Sequence, residues 1–210
     1  MVTLAVFGAT GYVGSRIVAE AVNRGHRVVA VARNANPVDS REGVTVRAGS
    51  LLDKDLVAEV AREADALVAA VPGSFLLDAL PVLVDVARAG AVRLGVVGGA
   101  GSLRISADGP RLIDTPEFPD EYKSAALAQG RVLDALAEIP ADVDWFYLSP
   151  PANFGAHAPG ERTGHYRLGG DVLLTGPDGQ STIGGDDYAI AFLEEIDRPT
   201  HRRQRFTVAY

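Results

Sequence analysis

Gly8, Gly11 and Gly14 fall in the run GATGYVGSR, between a short apolar stretch and the start of a helical pattern. Their G-x-x-G-x-x-G spacing differs from the commoner G-x-G-x-x-G, but the physics is shared. It gives a tight turn, a close backbone approach to a pyrophosphate, and close helix–strand packing at the third glycine. The helix that follows presents unpaired N–H groups and a positive dipole end to phosphates. The chemistry implied is dinucleotide binding. A second apolar run then ends in VAVARNANP, with Arg33 at its end and no Asp or Glu before Asp39. An acidic residue there would hold the ribose 2′-hydroxyl of NAD, whereas a forked, permanently charged guanidinium suits the 2′-phosphate of NADP. NADPH is the expected cofactor, with NADH still allowed.

Tyr122 and Lys123, in EYKSAALAQG, raise the question of a catalytic acid. A Tyr whose pKa is lowered by a neighbouring Lys⁺ protonates the alkoxide that forms when a carbonyl takes up hydride. Such a pair needs i, i+4 spacing to share a helix face, but here the i+4 residue is Ala126, and neighbours i and i+1 diverge by about 100°. The stripe Tyr122, Ala126, Gln129, Leu133, Leu136 turns Tyr122 inward, and Lys123 starts another stripe with Leu127, Gly130 and Asp134. The pair is therefore not expected to act as one acid. Flavins and quinones need none, because their rings take hydride directly and water supplies the proton. Phe118, Tyr122 and Phe154 are the aromatic candidates for such a pocket. No serine sits in a G-x-S-x-G elbow, and nothing has metal-ligand spacing, so His157 and His165 are read as surface or pocket-rim residues.

The elements that must carry these residues alternate. Apolar, β-branched runs at Val2–Phe7, His26–Arg33, Val44–Gly49, Ala64–Val71, Val92–Gly99 and Val143–Pro150 read as strands. Helical patterns at Tyr12–Asn23, Asp53–Glu63 (Asp53 as cap), Phe75–Gly90 and Pro119–Glu138 separate most of them. This order predicts an α/β fold, a doubly wound parallel sheet with helices on both faces. Beyond Pro150 the composition shifts to Gly, Pro and charged residues. Short β segments are expected there, then a helix over Asp186–Ile196 and a strand around Arg205–Ala209. The whole chain, 1–210, reads as one domain: a cofactor-binding core to residue 150, and a β-rich extension over the substrate side.

Of 210 residues, 47% are hydrophobic and 22% charged, an ordinary globular balance, and the net charge of −7 argues against nucleic-acid or anionic-membrane partners. The one basic cluster, HRRQRF at His201–Phe206, reads as a solvated chain end. The absence of cysteine excludes thiol chemistry and disulfides. No apolar run reaches membrane-spanning length, and no leader pattern opens the chain, so a cytoplasmic location is expected.

Three stretches carry a family resemblance: GATGYVGSR…VVAVARN, VVGGAGSL (Val96–Leu103), and GERTGHYRLGGDVLL…DDYAIAFLEEIDRPTHRRQRFTVAY. Together they resemble the NADH-flavin reductase group of atypical short-chain dehydrogenases, related to NmrA-like proteins and to biliverdin-IXβ/flavin reductase. The likeness spans essentially the whole chain, and its C-terminal part is the most specific. It implies a Rossmann-like domain in which Gly8, Thr10, Gly11, Tyr12, Val13 and Gly14 form the phosphate turn and Arg33 meets the 2′-phosphate. It further places Ser50 and Leu51 at adenine, and Ala70, Val71 and Pro72 along the nicotinamide-ribose path. Ser102 would lie near the nicotinamide, and Pro150 beside its carboxamide. Two functions follow: a reductase of a small-molecule electron acceptor, such as a flavin or quinone, or a non-catalytic redox sensor of NmrA type. A ketone reductase or epimerase with an unusual proton donor is a third. A homodimer is compatible with any of them.

Overall fold

The computed structural model describes residues 1–34 and 42–210; Asp39 lies outside them. The strands are β1 (Thr3–Phe7), β2 (Arg27–Ala32), β3 (Val44–Ala48), β4 (Ala66–Ala69), β5 (Arg93–Val97), β6 (Trp145–Ser149), β7 (Arg167–Gly169) and β8 (Gln204–Ala209). They form one sheet in the order β3-β2-β1-β4-β5-β6-β8-β7. All neighbours are parallel except β7, which runs antiparallel to β8 with Leu168 opposite Val208. The helices are α1 (Tyr12–Asn23), α2 (Lys54–Ala61), α3 (Gly73–Gly90), α4 (Asp120–Glu138) and α5 (Gly185–Asp197).

The central strands β1, β4, β5 and β6 are buried along their whole length, as expected of strands covered on both faces. One apolar cluster joins the α1 and α5 side through Ile17, Phe146, Tyr188 and Phe192. The other joins α2, α3 and α4 through Val57, Leu76, Leu83 and Leu136. This is the doubly wound, Rossmann-like architecture. Apart from β7, for which no bounds were predicted, each strand ends within two residues of its predicted end. Asp53 caps α2 as expected, its carboxylate accepting from Leu56 N–H at 3.2 Å.

The basic cluster at the C-terminus is not a solvated end. Arg203 donates to the carbonyls of Ile139, Pro140 and Val143, closing the C-terminus of α4, while Phe206 is 1% exposed. Arg205 pairs with Asp171 at 2.6 Å and Arg202 with Asp144. Unpaired carbonyls at a helix end are favourable partners for cations, and β8 runs directly out of this segment.

Two buried carboxylates bind the extension to the core. Asp187, fully buried on α5, accepts from Thr163 N–H, Thr163 O–H, Gly164 N–H and Tyr210 O–H at 2.6–2.8 Å. Glu195 pairs with Arg93 at 2.7 Å and accepts from the N–H groups of Thr200 and His201. Burial alone would raise both pKa values, but these donors outweigh it and hold both below the usual carboxylate range. The unfolded chain, with carboxyl pKa values of about 4, therefore takes up protons first as the pH falls. This stabilisation is present above about pH 4 and is lost as pH drops through the folded values. Urea denaturation across pH 7 to 3 should show a flat plateau and then a steep acid loss. The Asp187→Asn variant should show a shallower acid limb.

Candidate functional site

The C-terminal ends of β1, β2 and β4 meet the glycine turn where the strand order reverses, the usual ligand crevice of an open α/β sheet. Gly8 has φ +84°, and a Cβ there would lie 2.2 Å from the Ala70 carbonyl oxygen. A Cβ on Gly14 would lie 2.1 Å from the Gly8 carbonyl oxygen. Both glycines are thus required by geometry. Gly14 makes the close helix–strand contact and lines no cavity itself, whereas Gly8, Thr10 and Gly11 line the groove.

That groove, about 200 Å³, continues over Arg33, Ser50 and Leu51 and is closed by Ala70, Val71 and Pro72. The last three thus line the same groove as Ser50 and Leu51. Arg33 is the first residue after β2, exposed, with its Cζ 5.5 Å above the Phe75 ring. Two helix N-termini flank the turn, α1 behind Gly11 and α3 behind Pro72. Neither has a side-chain cap or an acidic residue in its first turn, whereas α2, α4 and α5 all carry acids there. The ends that face this groove are thus the ones left positive and free to bind anions.

On the other side of the turn, Tyr12 and Val13 open a cleft of about 730 Å³, floored by the end of β5 and by Pro150 after β6. Phe118, Tyr122 and Phe154 all line it. Phe154 packs edge-on against Tyr12, centroids 5.6 Å apart, and lies tilted against buried Tyr188 at 4.8 Å. Tyr12 also donates to the Pro159 carbonyl at 3.2 Å, so the turn itself holds the C-terminal extension over the cleft.

The inward stripe of α4 brings Tyr122 to the cleft and not into the core: it is 50% exposed, and among α4 residues only Val132 and Leu136 are buried. The first half of the helix runs past the sheet's end, so its inward stripe faces the cleft. Ser102 is not on the cleft. It turns into a separate depression and accepts from Arg205 at 3.1 Å, because the 99–103 loop bends back toward β8. Lys123 does point away from Tyr122 and pairs with Asp120 at 2.6 Å.

Two residues were not foreseen, one on the cleft wall and one buried behind it. Tyr147, fully buried on β6, accepts from Gly99 N–H at 2.9 Å and donates to the Gln129 carbonyl at 3.1 Å. Burial pushes its pKa well above the usual phenol value, so the hydroxyl stays neutral and joins the β5 loop to α4. Gln129 lines the cleft, with its Oε1 buried and without a hydrogen-bond partner among the described residues. A buried polar atom left in this state costs free energy and suits a ligand's N–H or O–H donor. Its sequence signal was the one polar residue within an otherwise apolar stripe. Among the described residues, no group of His, Asp and Glu has the geometry to hold a metal ion.

The fold and the crevice define a Rossmann-type dinucleotide-binding protein. The chain belongs to the NAD(P)H-binding family, whose model matches residues 8–176. It is 40% identical to the uncharacterized protein YwnB of Bacillus subtilis, over 98% of this chain and 97% of that one. A candidate NADH-flavin reductase from Streptococcus pneumoniae superimposes with a TM-score of 0.87 at 33% identity, covering 100% of this chain and 99% of the other. A candidate epimerase from Bacteroides thetaiotaomicron gives 0.90 at 35%, covering 99% and 96%. The chain thus has an NAD(P)H-binding, oxidoreductase-like fold. Among the described residues, no helix is long and apolar enough to cross a membrane.

Proposed function

We propose that this protein is a cytoplasmic NADPH-preferring reductase that passes hydride to a planar acceptor, a flavin or quinone, without a side-chain acid. One observation carries the reading. The groove beside Arg33 and the larger aromatic cleft meet at the Gly11–Tyr12 peptide, and the cleft wall holds a tyrosine whose lysine neighbour is tied to Asp120. When bound, the dinucleotide supplies the hydride and is oxidised, and water supplies the proton to the reduced acceptor. The chain's own part is to bind and orient. The glycine turn and the helix ends take the phosphates, and Arg33 the 2′-phosphate. Gln129 and the aromatic walls fix the plane of the acceptor. The neighbour from Streptococcus, described as a flavin reductase candidate, supports the acceptor class.

NADPH oxidation with riboflavin, menadione and a carbonyl panel tests this reading. Turnover is expected with the first two, and Tyr122→Phe should retain it within about twofold, since no proton passes through that hydroxyl. Ketone reduction abolished by Tyr122→Phe would overturn the proposal. The separation of Lys123 from Tyr122 also suits a redox sensor of NmrA type. NADPH binding without turnover on any acceptor would favour it.

A further inference from the structure

The charge of the cleft narrows the acceptor. Among its described lining residues there is no lysine or arginine; Glu117 is the carboxylate present, and His157, with its Nε2 3.1 Å from Asn153 Oδ1, is the one imidazole. Glu117 is exposed at the mouth and is followed by Asp120 and Glu121 in the first turn of α4. On the extension's side the mouth is formed by Gly179 and Gln180, next to exposed Asp178.

Three cations on neighbouring elements have partners of their own. Lys123 is bound to Asp120 at 2.6 Å, and Arg167 donates to the carbonyls of Thr175 and Tyr210. Arg16 lies over the Tyr12 ring at 4.0 Å and pairs with Asp186 at 3.4 Å. A phosphate inside the cleft would be desolvated without a lysine or arginine partner, and one emerging past Glu117 would meet carboxylates. The interior offers aromatic and aliphatic walls with a neutral amide at Gln129.

Resting on the hydride-transfer reading, we infer that the acceptor is uncharged: a flavin lacking phosphate, such as riboflavin, or an apolar quinone, and not FMN or FAD. Riboflavin and FMN share one isoalloxazine ring, so any difference between them reports the tail alone. Flavin fluorescence titrations of the NADP⁺-loaded protein at low ionic strength should show riboflavin binding at least about tenfold tighter than FMN, the worth of one missing charge-assisted contact. NADPH-dependent kcat/KM should follow the same order. Raising the salt to 0.5 M, or the variant Glu117→Gln, should narrow the ratio because the rim charges are screened or removed. FMN binding as tight as riboflavin, a ratio indifferent to salt, or no binding of either flavin or of menadione would overturn the inference. If no acceptor is turned over, hydride transfer fails as the function, while the titration still decides the charge preference.

Discussion

Gly14→Ala is expected to raise the dissociation constant for NADPH by about a hundredfold or more, roughly 3 kcal/mol, and to lower the melting temperature. The added Cβ would sit 2.1 Å from the Gly8 carbonyl oxygen and 2.8 Å from its carbon, contacts that no rotamer change relieves. The Gly8 carbonyl cannot move aside freely, because it accepts from Gly11 N–H at 2.9 Å and its own N–H donates to Val31 at 3.1 Å. Either α1 is pushed off the sheet or the turn opens, and both displace the N–H groups that face the groove. Gly130→Ala is the matched control. Its Cβ meets nothing within 4 Å in the interior of α4, so the helix should gain about 0.5–1 kcal/mol with binding unchanged. Cofactor fluorescence titration and thermal melts of both variants test this. Wild-type affinity in Gly14→Ala would show that the turn does not cradle the phosphates.

The contrast between these two glycines also shows what could be read from the chain. Local signals, namely apolar runs, the Asp53 cap and the glycine spacing, located the elements and the crevice, because the physics behind them acts within a few residues. Side-chain direction was recoverable only where the helix lay flat on the sheet. The α4 stripe separated Tyr122 from Lys123 and turned Tyr122 inward, but it left core and cleft both open as its surroundings, since the pattern does not say where the sheet ends beneath the helix. Ser102 failed for a related reason: the loop after β5 bends toward Arg205, a partner 103 residues away. Asp187, which gathers Thr163, Gly164 and Tyr210, was illegible because its partners come together only once β7 and β8 are placed. The same holds for the basic C-terminal cluster. Its arginines look solvated until the end of α4 is brought against them.

Arg33→Ala is expected to raise the dissociation constant for NADPH by about 10- to 100-fold, the range for a hydrogen bond to a charged group, and that for NADH by less than about threefold. Arg33 follows β2 directly, is exposed on the groove that Ser50 and Leu51 also line, and leans on Phe75 at 5.5 Å. Being exposed, its attraction to a phosphate is screened, so the wild-type preference should shrink as salt rises past 0.1 M, where the Debye length is about 10 Å. Arg33→Lys should recover the charge but not the paired donors, leaving an intermediate preference. The ratio of the two cofactors, and not affinity alone, is the decisive readout. A guanidinium that only stacked with Phe75 against the adenine would weaken NADH and NADPH equally on removal, and salt would leave their ratio unmoved. Equal losses would thus assign Arg33 to the adenine and withdraw the NADPH preference, while leaving the glycine turn and the inference of an uncharged acceptor as they stand.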